Sequence, residues 1–424
     1  MKITNIEIIR IYPPLAKRYD KHRNRMAGID HRAIFKVETD VGIVGYGDLR
    51  WGGTLPPPSS VEPLIGRNPF DFINNKFNPA LGGALYDVMG KYLEVPAHRL
   101  MGQKVRDAVR VAAWTRPCSP AIFREEVARA VKQGYMVFKM HTRPIYDPIE
   151  QTLAAEEVAP EGFKIHYDFN KSRTLAGVLP LICELEKHPI VGYIEDPLPS
   201  SDVDGWRRLR ERTRIPILTH SPLLGGIQEV LLGAADIYMI GDGVPQCSVG
   251  DMLARGIAYS QLNVQTTLQL TGGTLTKALA LHVAAVLPSA TGHSINLDDQ
   301  YEEDITTERI PVTDGFSPVP NGPGLGFEVD EKALARFAAN RPPELPKHIG
   351  ILHLPGGHTI YTPYEPGVGD VPRFTGHEEG AIRGISFELW EDDGSEEFTR
   401  MHQRLSKERI IMEGRPRQSA RRRS

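Results

Sequence analysis

Long apolar runs are missing from this sequence. No stretch of about 18 apolar residues occurs, so no membrane-spanning helix is expected. Cysteine is scarce: Cys118, Cys183 and Cys247 are the only three, and they lack metal-ligand spacing. That excludes a disulfide framework and fits a reducing cytoplasm. An excess of one charge is also lacking. Lys and Arg number 50 against 53 Asp and Glu, a net charge of −3, so the chain as a whole carries no polyanion-binding signature and no nucleic-acid partner is expected. The opening MKITNIEIIRIYPP has one Lys and then alternates apolar with polar residues, which reads as a first strand and not as a signal peptide.

What remains is an ordinary globular composition, 41% hydrophobic and 24% charged, over 424 residues, enough for two domains and a sizeable core. The first hundred residues read as a small α+β unit. Ile6 and Ile8 alternate with polar neighbours, AIFKVETD and GIVGYGD flank a turn near 40–42 as a hairpin would, and a helix is expected around 81–93, interrupted by Pro96.

From about Val109 the pattern changes. Short apolar runs (VRVAA, MVFKMH, KIHYDFN, VGYIED, IPILTH, DIYMI, LNVQTT, HSINLD) alternate with amphipathic segments such as that of Phe123, Val127 and Val131. Strand–helix repetition at this spacing implies parallel strands joined by helices. About eight strands suit a closed barrel, with an open doubly wound sheet as the alternative. In four consecutive runs the reactive residues come last: Lys139 and His141, Asp168 and Asn170, Glu195 and Asp196, then His220. In a barrel those positions lie at the C-terminal face, where active sites are built.

Asp168, Glu195 and His220 are separated by 27 and 25 residues, about one strand–helix unit each. Three donors on adjacent strand ends can converge on one divalent cation. Two carboxylates suit Mg²⁺ or Mn²⁺, and an imidazole shifts preference towards Mn²⁺, Fe²⁺ or Zn²⁺. Taken alone, Glu195-Asp196-Pro197 also reads as an acidic turn closing a strand. Arg143 and Lys171 near the same mouth suit a substrate carboxylate or hydroxyls, or simply solvent. His166, two residues before Asp168, points to the same inner face and reads as a lower-layer core residue.

Several stretches resemble the enolase superfamily, in its mandelate racemase and muconate lactonizing enzyme branch: GIVGYGD, ALYDVMGKYLEVPAHRLMGQKVRDAVRVAAW, the strand ends FKMH, YDFN and YIEDP, and DGFSPVPNGPGLGFEVDE. The resemblance spans roughly residues 1–340. It implies an α/β fold, a modified (β/α)8 TIM-type barrel with an α+β enolase-like capping domain. The implied division is 1–108 for the cap, 109–320 for the barrel and 321–345 for a segment returning to the cap. Residues 346–424 form a C-terminal extension, expected to be irregular and packed on the surface or on a neighbouring subunit, with a basic, disordered tail. The family's chemistry is proton abstraction beside a metal-held carboxylate, with a Lys or His base and Mg²⁺. Carried over by position, Asp168 and Glu195 are metal ligands, Asn170 is the polar residue beside the first, and Lys139 opens the family's Lys-x-Lys pair. His141 stands in place of its second lysine, either as base or as a hydrogen-bonding neighbour. The loop bearing His22, Arg23 and Arg25 corresponds to the one that closes over substrate.

The chain also departs from the family. His220 replaces the usual acidic third ligand. Asp242 fits the acid of the usual Asp–His dyad, but its partner strand offers Gln265, Leu268 or Gln269 and no His. The eighth-strand acid appears as Asn296, with Asp298 or Asp299 as substitutes depending on register. These losses argue against a two-base racemase. The expected function is a cytoplasmic, metal-dependent sugar-acid dehydratase, with Lys139 and His141 catalytic and Mg²⁺ the cofactor, or Mn²⁺ or Zn²⁺ given His220. Substrate contacts are expected from Asn170, Arg143, His22 and Arg25. The expected partners are a small hydroxylated carboxylate and other copies of the chain in a homo-oligomer. The alternatives are a non-catalytic or regulatory homologue and a racemase-type or other isomerase.

Overall fold

The computed structural model describes residues 1–20, 27–220, 227–242, 247–342, 346–364 and 382–414. β1 (Ile3–Ile11), β2 (Arg32–Thr39) and β3 (Val44–Arg50) form an antiparallel sheet. The helix Pro79–Leu93 lies across it, capped by Asn78, whose side chain accepts from Leu81 N, with Pro79 opening the first turn. Its approach is close: a Cβ on Gly45 would lie 2.5 Å from the Ala84 carbonyl oxygen, and one on Gly47 1.8 Å from that of Ala80, so these two glycines of GIVGYGD are a packing requirement. Buried Asp87 on this helix accepts from Tyr46 N at 2.9 Å and Leu325 N at 2.8 Å. It therefore ties the sheet to the segment that returns after the barrel.

Eight parallel strands close the barrel: β4 (Ala108–Trp114), β5 (Val137–His141), β6 (Lys164–Asp168), β7 (Val191–Glu195), β8 (Ile217–Thr219), β9 (Ile237–Gly241), β10 (Gln265–Gln269) and β11 (Ser294–Ile295), the last pairing with β4. The short β12 (Phe316–Pro318) adds to β4 in the antiparallel sense. Strand–helix turns are punctuated by capping residues followed by proline, as at Ser119-Pro120 and Asp147-Pro148. Fully buried Phe123 and Val127 press the helix Pro120–Lys132 onto the barrel, each side chain adding about 1.5–3 kcal/mol of burial. β10 starts at Gln265, later than the LNVQTT run suggests. The preceding helix continues to Gln261, and Asn263 turns the chain with φ 53°.

The C-terminal extension corrects the expectation of irregular structure. β13 (His348–His353), β14 (His358–Tyr364), β15 (Ser386–Glu391) and β16 (Ile411–Gly414) form an antiparallel sheet in the order β15-β13-β14-β16. One face, with Leu352, Ile360 and Tyr364, packs on Ile145 and Tyr146 of the segment following β5. The other, with Ile349 and Ile411, packs on Phe398 and Leu405 of the helix Glu396–Glu408. Pro and Gly had obscured a period-two alternation that buries both faces. The basic tail lies outside the described residues. No described helix is long and apolar enough to cross a membrane, and all three cysteines are free.

Candidate active site

Strand register assembles the site. His141 pairs with Asp168, Asp168 with Glu195, and Glu195 with Leu218. His141, Asp168 and Glu195 therefore occupy one level at the C-terminal ends of three adjacent strands. Lys139 pairs with His166 two residues below, on the same side of the pleat. The chain just beyond is strained: Asn170 (φ 48°), Lys171 (φ 58°) and Asp196 (φ 45°) are left-handed. Such residues gather where surrounding structure enforces a functional geometry.

Lys139 is buried between the two carboxylates, its Nζ 2.8 Å from Glu195 Oε1 and 3.2 Å from Asp168 Oδ2. A third donation runs to Gln269 Oε1 at 3.1 Å. Burial pulls the ammonium down, but Glu195 and Asp168 outweigh it and hold Lys139 above the ordinary lysine value. Glu195 is in turn held well below the usual carboxylate range, because Lys139, His166 and His220 outweigh its burial. His141 behaves oppositely. Burial lowers it to about 4, only partly offset by Asp168, so the ring is neutral at pH 7. Its Nε2 lies 3.3 Å from Asp168 Oδ2, and its Nδ1 is buried without a hydrogen-bond partner. Of the two expected bases, Lys139 keeps its proton and His141 has a free lone pair.

Asn170 is drawn to Asp168 Oδ1 through its backbone N at 2.8 Å and its Nδ2 at 2.9 Å, and it accepts from Arg143 at 3.2 Å. These two expected substrate contacts therefore stand together at the mouth. His22 and Arg25 lie outside the described residues.

His220, the expected third ligand, lies against two acceptors. Its Nδ1 lies 3.0 Å from Glu195 Oε1, and its Nε2 lies 2.8 Å from the Asp242 carbonyl oxygen. Both partners are acceptors, so a protonated ring donates from both nitrogens. Burial opposes this charge, but Glu195 raises the ring above the ordinary histidine value. Among the described residues no three His, Cys, Asp or Glu side chains converge as a metal shell. Asp168 and Glu195 alone still suit a hard cation. They are register-paired and buried, and Glu195 Oε2 has no hydrogen-bond partner. Mg²⁺ is commonly held by one or two carboxylates with water and substrate oxygens completing the shell.

Of the three candidates for the dyad position, Gln269 closes β10 and reaches the site through Lys139. Gln265 sits at the opposite end of β10, bonded to Tyr193 and Thr291, and Leu268 is core. Asp242 is taken by Arg50 at 2.9 Å and by Thr271. At the eighth strand, Asn296 bonds the Leu270 carbonyl, Asp298 pairs with Lys277, and Asp299 pairs with Arg18 and Arg129. Those two acids are structural. His166 is buried as expected of a lower-layer residue, but it touches the site. Its Nε2 is 3.0 Å from Glu195 Oε2, off the line of a hydrogen bond, and its Nδ1 is 2.9 Å from His293 Nε2. Nothing local in the sequence pairs it with His293.

The enolase C-terminal domain-like family matches residues 123–241 and 248–333. The chain is 27% identical over 350 residues to D-xylonate dehydratase of Haloferax volcanii, covering 71% of this chain and 84% of that protein. It is 25% identical over 380 residues to N-succinyl-L-Arg/Lys racemase of Bacillus cereus, covering 79% and 97%. The crystal structure of an enolase from Pseudomonas fluorescens Pf0-1, with bound magnesium, potassium and tartrate, superposes with a TM-score of 0.66 at 20% identity, covering 80% of this chain and 92% of that one. Fold, strand-end register and sequence agree: the chain belongs to the enolase superfamily, in its mandelate racemase and muconate lactonizing enzyme branch.

Proposed function

We propose that the chain is a sugar-acid dehydratase using a single base, His141. The observation that carries this reading is a neutral imidazole at the same strand level as the buried Asp168–Glu195 pair, with an unpartnered Nδ1. Several relatives near this identity act on hydroxylated acids, among them D-gluconate dehydratase of Thermoproteus tenax and arabinonate dehydratase of Saccharolobus solfataricus.

A divalent cation, Mg²⁺ first among candidates, would be held by Asp168 and Glu195 and would supply Lewis-acid stabilisation to the substrate carboxylate as its α-proton leaves. Lys139 keeps Glu195 ionised and fixes both carboxylates in place. Asn170 and Arg143 orient hydroxyls at the mouth. The His141 imidazole takes the α-proton and returns it to the β-hydroxyl on the same face. The C–H and C–O bonds break, a C=C bond forms, water leaves, and the enol becomes a 2-keto-3-deoxy acid. Racemisation needs a second base on the opposite face, and Gln269, an amide, stands at that position.

The test is NMR of xylonate, gluconate, arabinonate and galactonate in deuterated water with Mg²⁺ or Mn²⁺. The expected result is a 2-keto-3-deoxy product from at least one acid. Absence of both product and α-proton exchange across the panel with either metal would overturn the assignment.

A further inference from the structure

The N-terminal end of the barrel carries a second polar site. A cavity of about 340 Å³ opens among the first residues of the strands, within the size range of small-molecule sites. Its polar lining is Arg110 on β4, Lys164 opening β6, His166, Tyr193 on β7 and His293, and it includes no Asp or Glu. Barrel interiors are normally filled by layers of branched aliphatic side chains at this level. Here two buried imidazoles sit 2.9 Å apart, with the Tyr193 ring stacked on His293 at 5.7 Å.

The two cations are positioned rather than loose. The Arg110 guanidinium lies 5.4 Å over the Phe316 ring. Lys164 Nζ donates to the Pro189 carbonyl at 2.6 Å, leaving two ammonium protons for another acceptor. Two fixed cations and no carboxylate give a concavity whose field favours an anion. We propose that this pocket binds a small, multiply charged oxyanion, with Arg110 and Lys164 as its charged contacts and the His293–Tyr193 stack as its wall. Its inner wall, His166, also touches Glu195, so an occupant sits one side chain from the carboxylate pair at the other end of the barrel.

Isothermal titration of the full chain with inorganic phosphate, and separately with malonate, tests this. Binding of either anion at one site per chain is expected, weakened about tenfold or more by Arg110→Ala and again by Lys164→Ala, each removing one charge-assisted contact. Both side chains are exposed at the rim, so far-UV circular dichroism should be unchanged. The Arg143→Ala variant, altered at the opposite mouth, should bind as the parent does. No heat with either anion overturns the proposal. So does binding that survives both rim substitutions, or that disappears in Arg143→Ala.

Discussion

Replacing Lys139 by Met asks whether the Asp168–Glu195 pair is a cation site in its own right. Methionine keeps the length and apolar stem but removes the charge. Lys139, Asp168 and Glu195 are 1%, 2% and 0% exposed, so solvent cannot substitute for the missing ammonium. Removing one partner of a buried ion pair costs about 3–5 kcal/mol, because the remaining charge is stranded. Here two carboxylates lose their shared cation, with His220 left beside Glu195 and Asn170 beside Asp168, against a total stability of about 5–15 kcal/mol for a typical domain. The deficit should grow with pH. Without Lys139 the Glu195 carboxyl titrates higher than in the parent, so the deficit against the parent widens as pH rises through that window. A divalent cation between the carboxylates should restore about 2.7 kcal/mol at a hundred times its Kd. Urea unfolding followed by circular dichroism at pH 7.5, in EDTA and in Mg²⁺ or Mn²⁺, measures both terms. A variant within about 1 kcal/mol of the parent in EDTA would refute the electrostatic reading of Lys139. A clear deficit that neither metal relieves would refute the carboxylate pair as a cation site.

His141→Ala should lower kcat by about 10²–10⁴ with the fold retained. Because burial holds His141 near 4, the acid limb of the parent's kcat/KM should fall near pH 4 and not near 6.5; a limb at 6.5 would exclude this ring as the base. Asp196 is pushed up to about 7, by burial first and then by Glu195 and Asp168. A carboxyl raised in the folded state loses stability as pH climbs from its unfolded value of about 3.9 towards 7. Asp196→Asn should therefore stabilise the metal-free protein at pH 8 and do little at pH 4; equal effects at both would contradict the assignment. Arg383, half exposed, reaches buried Asp147 at 2.6 Å and joins the C-terminal sheet to the segment after β5. Arg383→Ala should cost about 1 kcal/mol and raise KM more than it lowers kcat, since that segment carries Arg143; unchanged KM would detach the sheet from the mouth.

Much of this site was legible because barrel strands end where chemistry begins. His141, Asp168 and Glu195 each close an apolar run, and register then sets them side by side. The opposite electrostatics of Lys139 and His141 could not be read from sequence, since the two differ in burial partners and not in local pattern. The His166–His293 contact joins residues 127 apart, and it was invisible for the same reason. The C-terminal sheet was misread because Pro and Gly mark its turns densely, while HIGILH, HTIYTPY and SFELWE carry the alternation of strands.

The broken dyad shows how a lost residue redirects those around it. Asp242 is buried, and a buried carboxylate must be paired or hydrogen-bonded. With Gln269 at the end of β10 there is no imidazole to pair with, and the N-terminal sheet supplies the cation instead. Arg50, the last residue of β3, reaches Asp242 at 2.9 Å, and its backbone N donates to the Thr271 carbonyl at 2.8 Å. Arg50 and Thr271 therefore hold Asp242 low despite its burial. A carboxylate placed to tune a base has become a latch between the N-terminal sheet and the barrel mouth. Gln269, in turn, spends its carbonyl on Lys139. Both changes remove proton-transfer capacity from one side of the site and leave His141, the proposed base, on the other. That asymmetry is what elimination with one base requires, and it is what racemisation cannot use.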